Sequence, residues 1–393
     1  MSDDQGWKDV GFHGSDIKTP NLDQLAQSGT RLEQFYAQPM CTPSRAALMT
    51  GRYPHRYGLQ TLVIPSNAGY GLATDECTLP QALKEAGYKT AIVGKWHLGH
   101  ADQKYWPRQR GFDYQYGPLL GEIDYFTHSA HGTRDWFRNN QPIKEEGYVT
   151  QLLGKDAVRV IETHNPKTPL FLYLAFTAPH APYQAPKAYL DKYTNIADPA
   201  RRSYAAMMTV MDAEIGQVMR ALEKRGMRDN TLVVFQSDNG GPRSAKFTGE
   251  VDMSKSTIPA DNGPYRDGKG TLYEGGTRVV ALHGRCGQGP GPGRIAVDPL
   301  DDCVDRRVVD VAVARDPRDQ TPGLGVAEAT QTDPTRHRRW CPCIGVVSAS
   351  HDEHPAPVGR FDREPIEHRR SEEHTSELQS HSDLVCRLLL EKK

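Results

Sequence analysis

No stretch of the 393-residue chain approaches the roughly 20 apolar residues that a membrane-spanning helix requires. Charge of one sign is lacking as well. Against 48 Lys and Arg stand 49 Asp and Glu, a formal net charge of −1 with a pI near 6.9. That balance gives no electrostatic case for a nucleic-acid or anionic-membrane partner. Cysteine is sparse: the seven are scattered in neither a disulfide framework nor a zinc pattern, and the one close pair, Cys341-x-Cys343, has the wrong spacing for a zinc knuckle. There is no Asn-x-Ser/Thr sequon, and only Cys41 and Cys77 precede residue 282. Both features sit poorly with a glycosylated, disulfide-bonded lumenal protein. The length allows two to three average domains, or one large α/β domain with an appendage.

Other scarcities are local. All seventeen Tyr, all nine Met and every Asn lie before Leu282. Beyond His283 the only Lys are Lys392 and Lys393, whereas Arg occurs fourteen times, and Trp340 and Phe361 are the only Phe, Tyr or Trp. This segment has no sustained helical or alternating period. Arg, Gly, Pro and Ala have GC-rich codons, so the skew is that of GC-rich DNA read out of frame. The run from Arg370 to His381 resembles the translation of a common sequencing adapter. Residues 1–282 are therefore expected to form the folded domain, and residues 283–393 a frame-shifted, disordered tail to be set aside from fold reasoning. Met1-Ser-Asp-Asp-Gln-Gly-Trp7 begins on polar residues of the kind that follow a buried strand, with no signal peptide ahead.

Within residues 1–282, helices have readable ends. Thr19-Pro20 opens one that carries Leu22, Leu25 and Ala26 and stops at Gly29; Thr78-x-Pro80 opens another running through Leu83 to Gly87. Ser203 to Gly226 is the longest, with Met207, Val210, Met211, Ile215, Val218, Met219 and Leu222 on one side as core packing. Between them lie short continuous apolar runs typical of buried parallel strands: Thr90 to Val93, Leu170 to Phe176 and Thr231 to Phe235. Each ends in ionisable or amide side chains close to Gly or Pro, and sites in open α/β sheets form at the carboxyl ends of strands. Pooling those ends gives Lys95, His97, His180, Asp238 and Asn239, with Asp3-Asp4 where a fourth strand end belongs. Three carboxylates and one carboxamide make a hard-oxygen set suited to Ca²⁺ or Mg²⁺. On these residues alone an Asx turn at Asp238-Asn239-Gly240 and a solvated Asp pair explain the pattern better.

Cys41-Thr-Pro-Ser-Arg45 shifts that balance. Pro43 and Ser44 read as the start of a helix through Met49 that ends at Gly51, and a helix N-terminus is an anion site. Arg45 adds a planar cation suited to bidentate oxyanion contact. A Cys there would be an activated thiolate or a modified residue, while Cys77 reads as a small buried hydrophobe.

Cys41-x-Pro43-Ser44-Arg45 followed by Leu48-x-x-Gly51-Arg52 resembles the first sulfatase signature, and Gly87 to His97 the second. The resemblance runs from Asp3 to about Arg278. Gly6-Trp7-x-Asp9-Val10-Gly11-Phe12-His13-Gly14 and Gly58-Leu59-Gln60 are most similar to the arylsulfatase B group, which acts on N-acetylgalactosamine 4-sulfate. It implies an α/β, alkaline-phosphatase-like sandwich with a central, mostly parallel sheet flanked by helices. The strand that should precede Asp3 and the C-terminal antiparallel subdomain are expected to be missing, which leaves strand edges unpaired and the activity of this chain in question.

The resemblance implies that Cys41 is oxidised to formylglycine by a formylglycine-generating enzyme. One hydroxyl of the hydrated aldehyde attacks sulfur, and the second drives expulsion of sulfate. Asp3, Asp4, Asp238 and Asn239 match the ligands of a divalent metal, usually Ca²⁺ with Mg²⁺ as the alternative. Arg45 and Lys95 match groups that stabilise the formylglycine oxygens and the metal site. His97 matches the base for sulfate elimination, and His180 and Lys269 match groups that bind sulfate and support the leaving oxygen. The implied substrate is an aryl sulfate or sulfated sugar. A phosphate or phosphonate ester hydrolase of the same superfamily, or an inactive fragment of a sulfatase, are the alternatives. A bacterial, periplasmic or secreted protein is expected. The aromatic stretch from Tyr105-Trp106 to Tyr125-Phe126, with Trp136 and Phe137, reads as packing rather than as a sugar platform.

Overall fold

The computed structural model describes residues 1–243 and 258–284. The tail expectation falls almost wholly on residues outside this set. The helices are α1 (Pro20–Ser28), α2 (Cys41–Thr50), α3 (Leu79–Glu85), α4 (Val149–Thr163), α5 (Lys187–Leu190), α6 (Pro199–Lys224) and α7 (Glu274–Thr277). The strands are β1 (Gly29–Arg31), β2 (Lys89–Gly94), β3 (Tyr114–Gly117), β4 (Ser129–Ala130), β5 (Thr133–Arg134), β6 (Phe137–Arg138), β7 (Gln141–Pro142), β8 (Leu170–Ala175), β9 (Val233–Gln236) and β10 (Ala281–Gly284).

The local signals act through capping. Thr78 and Gln81 form a reciprocal capping box at the start of α3. Gly51, at φ 63°, closes α2 by donating its N–H to the Ala47 carbonyl. Two helices start earlier than read from sequence. The Asp198 side chain accepts the Arg201 N–H and caps α6 at Pro199, four residues ahead of Ser203. In α2 the first residue is Cys41 itself, with Met40 as N-cap.

β2 runs parallel to β3 on one side and to β8 on the other, with Thr90 opposite Phe171 and Gly94 opposite Ala175. β6 and β7 extend this sheet antiparallel. Successive β2 side chains point to opposite faces. Val93 enters a core shared with α1, α4 and α6, and Ile92 one shared with α2 and α3. Met207, Met208, Val210 and Met211 of α6 are fully buried in the first. Trp136 and Tyr125 are also core, and Trp106 packs edge-on against Phe137 at 5.1 Å, so the aromatic stretch is mainly packing.

The expected single sheet is divided. β9 pairs antiparallel with β10, and β10 with β1, forming a separate three-stranded sheet. Met1–Asp3 bridges the two. Met1 N donates to Leu174 O at 2.9 Å and Phe176 N to Met1 O at 3.0 Å; Ser2 N donates to Gln236 O at 3.0 Å and Asp238 N to Ser2 O at 3.2 Å. Ahead of Met1, β8 and β9 face one another across a cavity of about 370 Å³ lined by Leu172, Leu174 and Val234, with Met49 and Leu83 on one side and Met219 and Leu222 on the other.

Candidate active site

The strand ends converge because the backbone turns sharply at each. Gly94 has φ 121°, and a Cβ on it would lie 1.8 Å from the Ala175 carbonyl oxygen. Only glycine lets β2 pass β8 so closely. Beyond it, Lys95 N donates to Ala175 O at 2.8 Å, and His97 adopts the left-handed region at φ 56°. β9 delivers Asp238 and Asn239, β8 leads into His180, and Asp4, at φ 62°, turns out of the bridge between them. Non-glycine residues in this region are strained and cluster at functional sites.

All ten sequence-predicted residues are buried: Asp3, Asp4, Cys41, Arg45, Lys95, His97, His180, Asp238, Asn239 and Lys269. Asp3 accepts from Lys95 Nζ through Oδ2 and from the Cys41 thiol at 3.5 Å through Oδ1. Asp4 accepts from Lys269 Nζ at 2.8 Å and Asn239 Nδ2 at 2.8 Å, and its Oδ2 lies 3.5 Å from His180 Nε2. Burial favours a neutral Asp3, yet Lys95, His180 and Arg45 hold its carboxyl below the usual range. Burial likewise opposes charge on Lys269, but the Asp4 and Asp3 carboxylates carry the ammonium above its ordinary value.

Arg45 gives its fork to a carboxylate within the site: Nε lies 3.1 Å and Nη2 2.8 Å from Asp238 Oδ2, while Nη1 donates to Lys95 O at 3.1 Å. Burial, then the Asp238 and Asp3 carboxylates, push the Cys41 thiol far up against the pull of Lys269 and Lys95, so the unmodified side chain is held as a thiol.

The histidines have defined tautomers where carbonyls fix them. His97 Nε2 donates to Ile64 O at 3.1 Å, so Nδ1 carries the lone pair; it has no partner among the described residues. Burial, then Lys95 and Arg45, push the His97 pKa well down, keeping the ring neutral. His180 Nδ1 donates to Ala181 O at 2.6 Å, which directs Nε2 toward Asp4.

The residues also fit a metal. Asn239 Oδ1 is buried without a partner among the described residues, on the amide whose Nδ2 donates to Asp4 Oδ1 at 2.8 Å, and Asp3, Asp4 and Asp238 are buried as well. An orphan amide oxygen and three buried carboxylates are the donor chemistry of a hard cation.

Sequence reading missed the supports. Asn262 accepts from Gly241 N at 2.9 Å and donates to Gly241 O and Asp267 O at 2.9 Å, and Lys269 N donates to the same Gly241 carbonyl at 3.1 Å. Thus Asn262 ties the Lys269 loop to the end of β9. Asp9 accepts from Tyr204 at 2.9 Å and Arg201 at 2.6 Å, bracing the loop after Asp4. The only sequence signal was Asn262-Gly263, which reads as a turn.

Comparison with known proteins follows the same stretch. The family profile described as "Sulfatase" matches residues 1–283. Mouse arylsulfatase J is 42% identical over 290 residues, covering 72% of this chain and 46% of that protein. Mouse N-acetylgalactosamine-6-sulfatase is 36% identical over 304 residues, covering 72% and 55%. A solved structure, Ps i-CgsB in complex with k-i-k-neocarrahexaose, is 38% identical with a TM-score of 0.65, covering 72% of this chain and 64% of its own. The chain thus spans about half the length of the curated relatives it matches. With both signatures inside the matched stretch and their residues gathered in one buried cluster, the chain belongs to the sulfatase family.

Proposed function

We propose that this chain carries the catalytic centre of a sulfuric ester hydrolase in which Cys41, converted to formylglycine, is the nucleophile. The observation that carries the reading is the seating of Cys41 at the first turn of α2, buried, with Asp3, Asp4 and His180 all offering ligand atoms within 4.8 Å of it and of one another. A thiol held protonated there is a poor nucleophile, and a hydrated aldehyde would supply one hydroxyl to attack sulfur and another to release it. The relatives' names point to sulfated sugars or aryl sulfates as the substrate class, with N-acetylgalactosamine sulfates as the sugar case. A formylglycine-generating enzyme is the required maturation partner.

Asp3, Asp4, Asp238 and Asn239 would hold the divalent cation, Ca²⁺ or Mg²⁺, which when bound withdraws charge from a sulfate oxygen and from the nucleophile. Arg45 fixes Asp238 for that role and contributes positive charge. Lys95 holds Asp3 in the same way. His97 is neutral with its Nδ1 lone pair free, the state a base needs to take a proton from position 41. His180 Nε2 and Lys269 Nζ both lie against Asp4 and are the groups available to bind sulfate and protonate the leaving oxygen. Burial of every member excludes water and strengthens these charges.

The test is co-expression with a formylglycine-generating enzyme, mass spectrometry of the peptide containing Cys41, and hydrolysis of matched aryl sulfate and aryl phosphate. Aldehyde at Cys41 with sulfate-selective turnover is expected. Aldehyde with preference for the phosphate would replace this reading by the phosphoester one, and turnover retained in Cys41→Ala would end it.

A further inference from the structure

Thr42, the residue after Cys41, lies in the first turn of α2 and is fully buried. A threonine within a helix ordinarily turns its hydroxyl to solvent or to the carbonyl four residues back. Thr42 instead donates to His97 O at 3.0 Å and accepts from Ile64 N at 3.1 Å. The Ile64 carbonyl in turn takes the Nε2 proton of His97 at 3.1 Å. One hydroxyl therefore holds His97 twice, by its backbone directly and by its ring through residue 64. The opposite side is closed as well. His97 N donates to Leu119 O at 3.0 Å, and Asp135 fixes that segment by accepting from Leu119 N at 3.1 Å and Leu120 N at 2.7 Å. Gly121 packs so closely on the imidazole that a Cβ there would lie 2.3 Å from Cε1.

We propose that Thr42 is the positioning residue that fixes His97 in register with position 41. The two are neighbours in one helical turn, so the nucleophile's turn and the imidazole are tied through a single hydroxyl. His97 has φ 56°, a conformation that persists only where the surroundings over-determine it. Hydrogen bonds at both its N–H and its C=O do so. Pinning Nε2 to Ile64 leaves the Nδ1 lone pair as the ring's acceptor, and Nδ1 is buried without a partner among the described residues. The assignment rests on the reading of His97 as the base and deepens it. In that reading the remaining hydroxyl of position 41 gives its proton to Nδ1. Its O–H electrons form the aldehyde C=O, and the C–O bond to the departing sulfate breaks. Thr42 touches no reacting atom. It sets the distance and tautomer of the group that does, and a displacement of about 1 Å costs on the order of 100-fold.

The first measurement is NMR of the full, unconverted chain with isotope-labelled imidazole nitrogens, His97→Gln identifying the His97 signals. Expected is an Nε2–H proton protected from solvent exchange. Thr42→Ser should keep it, and Thr42→Val, which holds the shape but removes the hydroxyl, should lose it. Circular dichroism checks folding. The second measurement uses chain converted at Cys41, with rates expressed per aldehyde so that poorer maturation of a variant does not enter. On an aryl sulfate, Thr42→Val should release one phenol per site in a burst as fast as the unsubstituted chain. Its later turnover should be slower on the order of 100-fold, with sulfate held on position 41, and Thr42→Ser should restore it. In the unsubstituted chain, a freely exchanging Nε2–H or a proton on Nδ1 would overturn the proposal. So would a protected Nε2–H in folded Thr42→Val, loss of burst and turnover together, or a serine variant as slow as the valine one. Absence of turnover in the unsubstituted converted chain would instead remove the functional reading, and the imidazole proton would still decide whether Thr42 holds His97.

Discussion

Replacing Arg45 by methionine isolates the electrostatic logic of the site. Arg45 is fully buried and reaches Asp238 Oδ2 through two nitrogens at 3.1 and 2.8 Å, Asp3 Oδ2 at 3.4 Å and the Lys95 carbonyl at 3.1 Å. Methionine fills much of the volume but leaves three carboxylates facing two ammonium groups in a dry cluster. Breaking a buried pair from one side costs about 3–5 kcal/mol, because the remaining charge loses its partner without regaining water. At about 2–4 °C per kcal/mol for a domain of this size, Tm should fall by about 6–20 °C. Thermal unfolding followed by circular dichroism, with chelator present, reads this directly. The loss should persist at 0.5 M salt (an order-of-magnitude choice well above physiological strength), since buried pairs are screened little. Adding Asp238→Asn to the variant removes the stranded charge and should restore part of the stability, with a coupling of about 1–3 kcal/mol in the double-mutant cycle. A fall below about 2 °C, or one abolished by salt, would refute the claim that this arginine neutralises the carboxylates.

Three further outcomes are expected. Gly94→Ala places a Cβ 1.8 Å from the Ala175 carbonyl at φ 121°, so it should cost about 2–4 kcal/mol and lower Tm with no polar group lost, measured by denaturant unfolding. Glu214 is raised to about 7 from 4.5, mainly by burial and against the pull of Arg220. The folded state therefore keeps a proton that the unfolded state has released, so stability should fall as pH rises from about 4.5 to about 7; Glu214→Gln should flatten that fall, gaining at pH 8 and nothing at pH 4, in melts across pH. Finally, in the register set by Met1 and Ser2, five residues fused ahead of Met1 would lie opposite Leu170–Leu174 and Thr231–Phe235 in the cavity. An all-apolar extension should raise Tm by about 10 °C and slow amide exchange at Leu172, Leu174, Val234 and Gln236, while a lysine-interrupted one should do neither.

Much of the site was legible without coordinates because its chemistry is carried by residue types that the backbone places predictably. A buried strand shows as an apolar run, and whatever follows it lies at the sheet's carboxyl edge, so Lys95, His97, His180, Asp238 and Asn239 could be pooled from three runs hundreds of atoms apart. Thr78-x-Pro80 and Thr19-Pro20 with Gly29 marked helix ends, which is local physics. What sequence could not decide was who pairs with whom. Arg45 read as a planar cation suited to an oxyanion, and only the fold decides that it closes on the Asp238 carboxylate, where both groups are buried. Cys41 read as an activated thiolate or a modified residue, and complete desolvation with the Asp238 and Asp3 carboxylates, visible only in three dimensions, pushes the unmodified thiol's pKa up. Nothing along the chain announces that the Asn262 amide will meet Gly241, twenty-one residues away. The sequence by itself determined the family, four of the helices and the three buried strands that lead to the site. The tertiary structure alone decided the charge pairing, the tautomers and the split between β8 and β9, because these depend on distances between segments that no local propensity encodes.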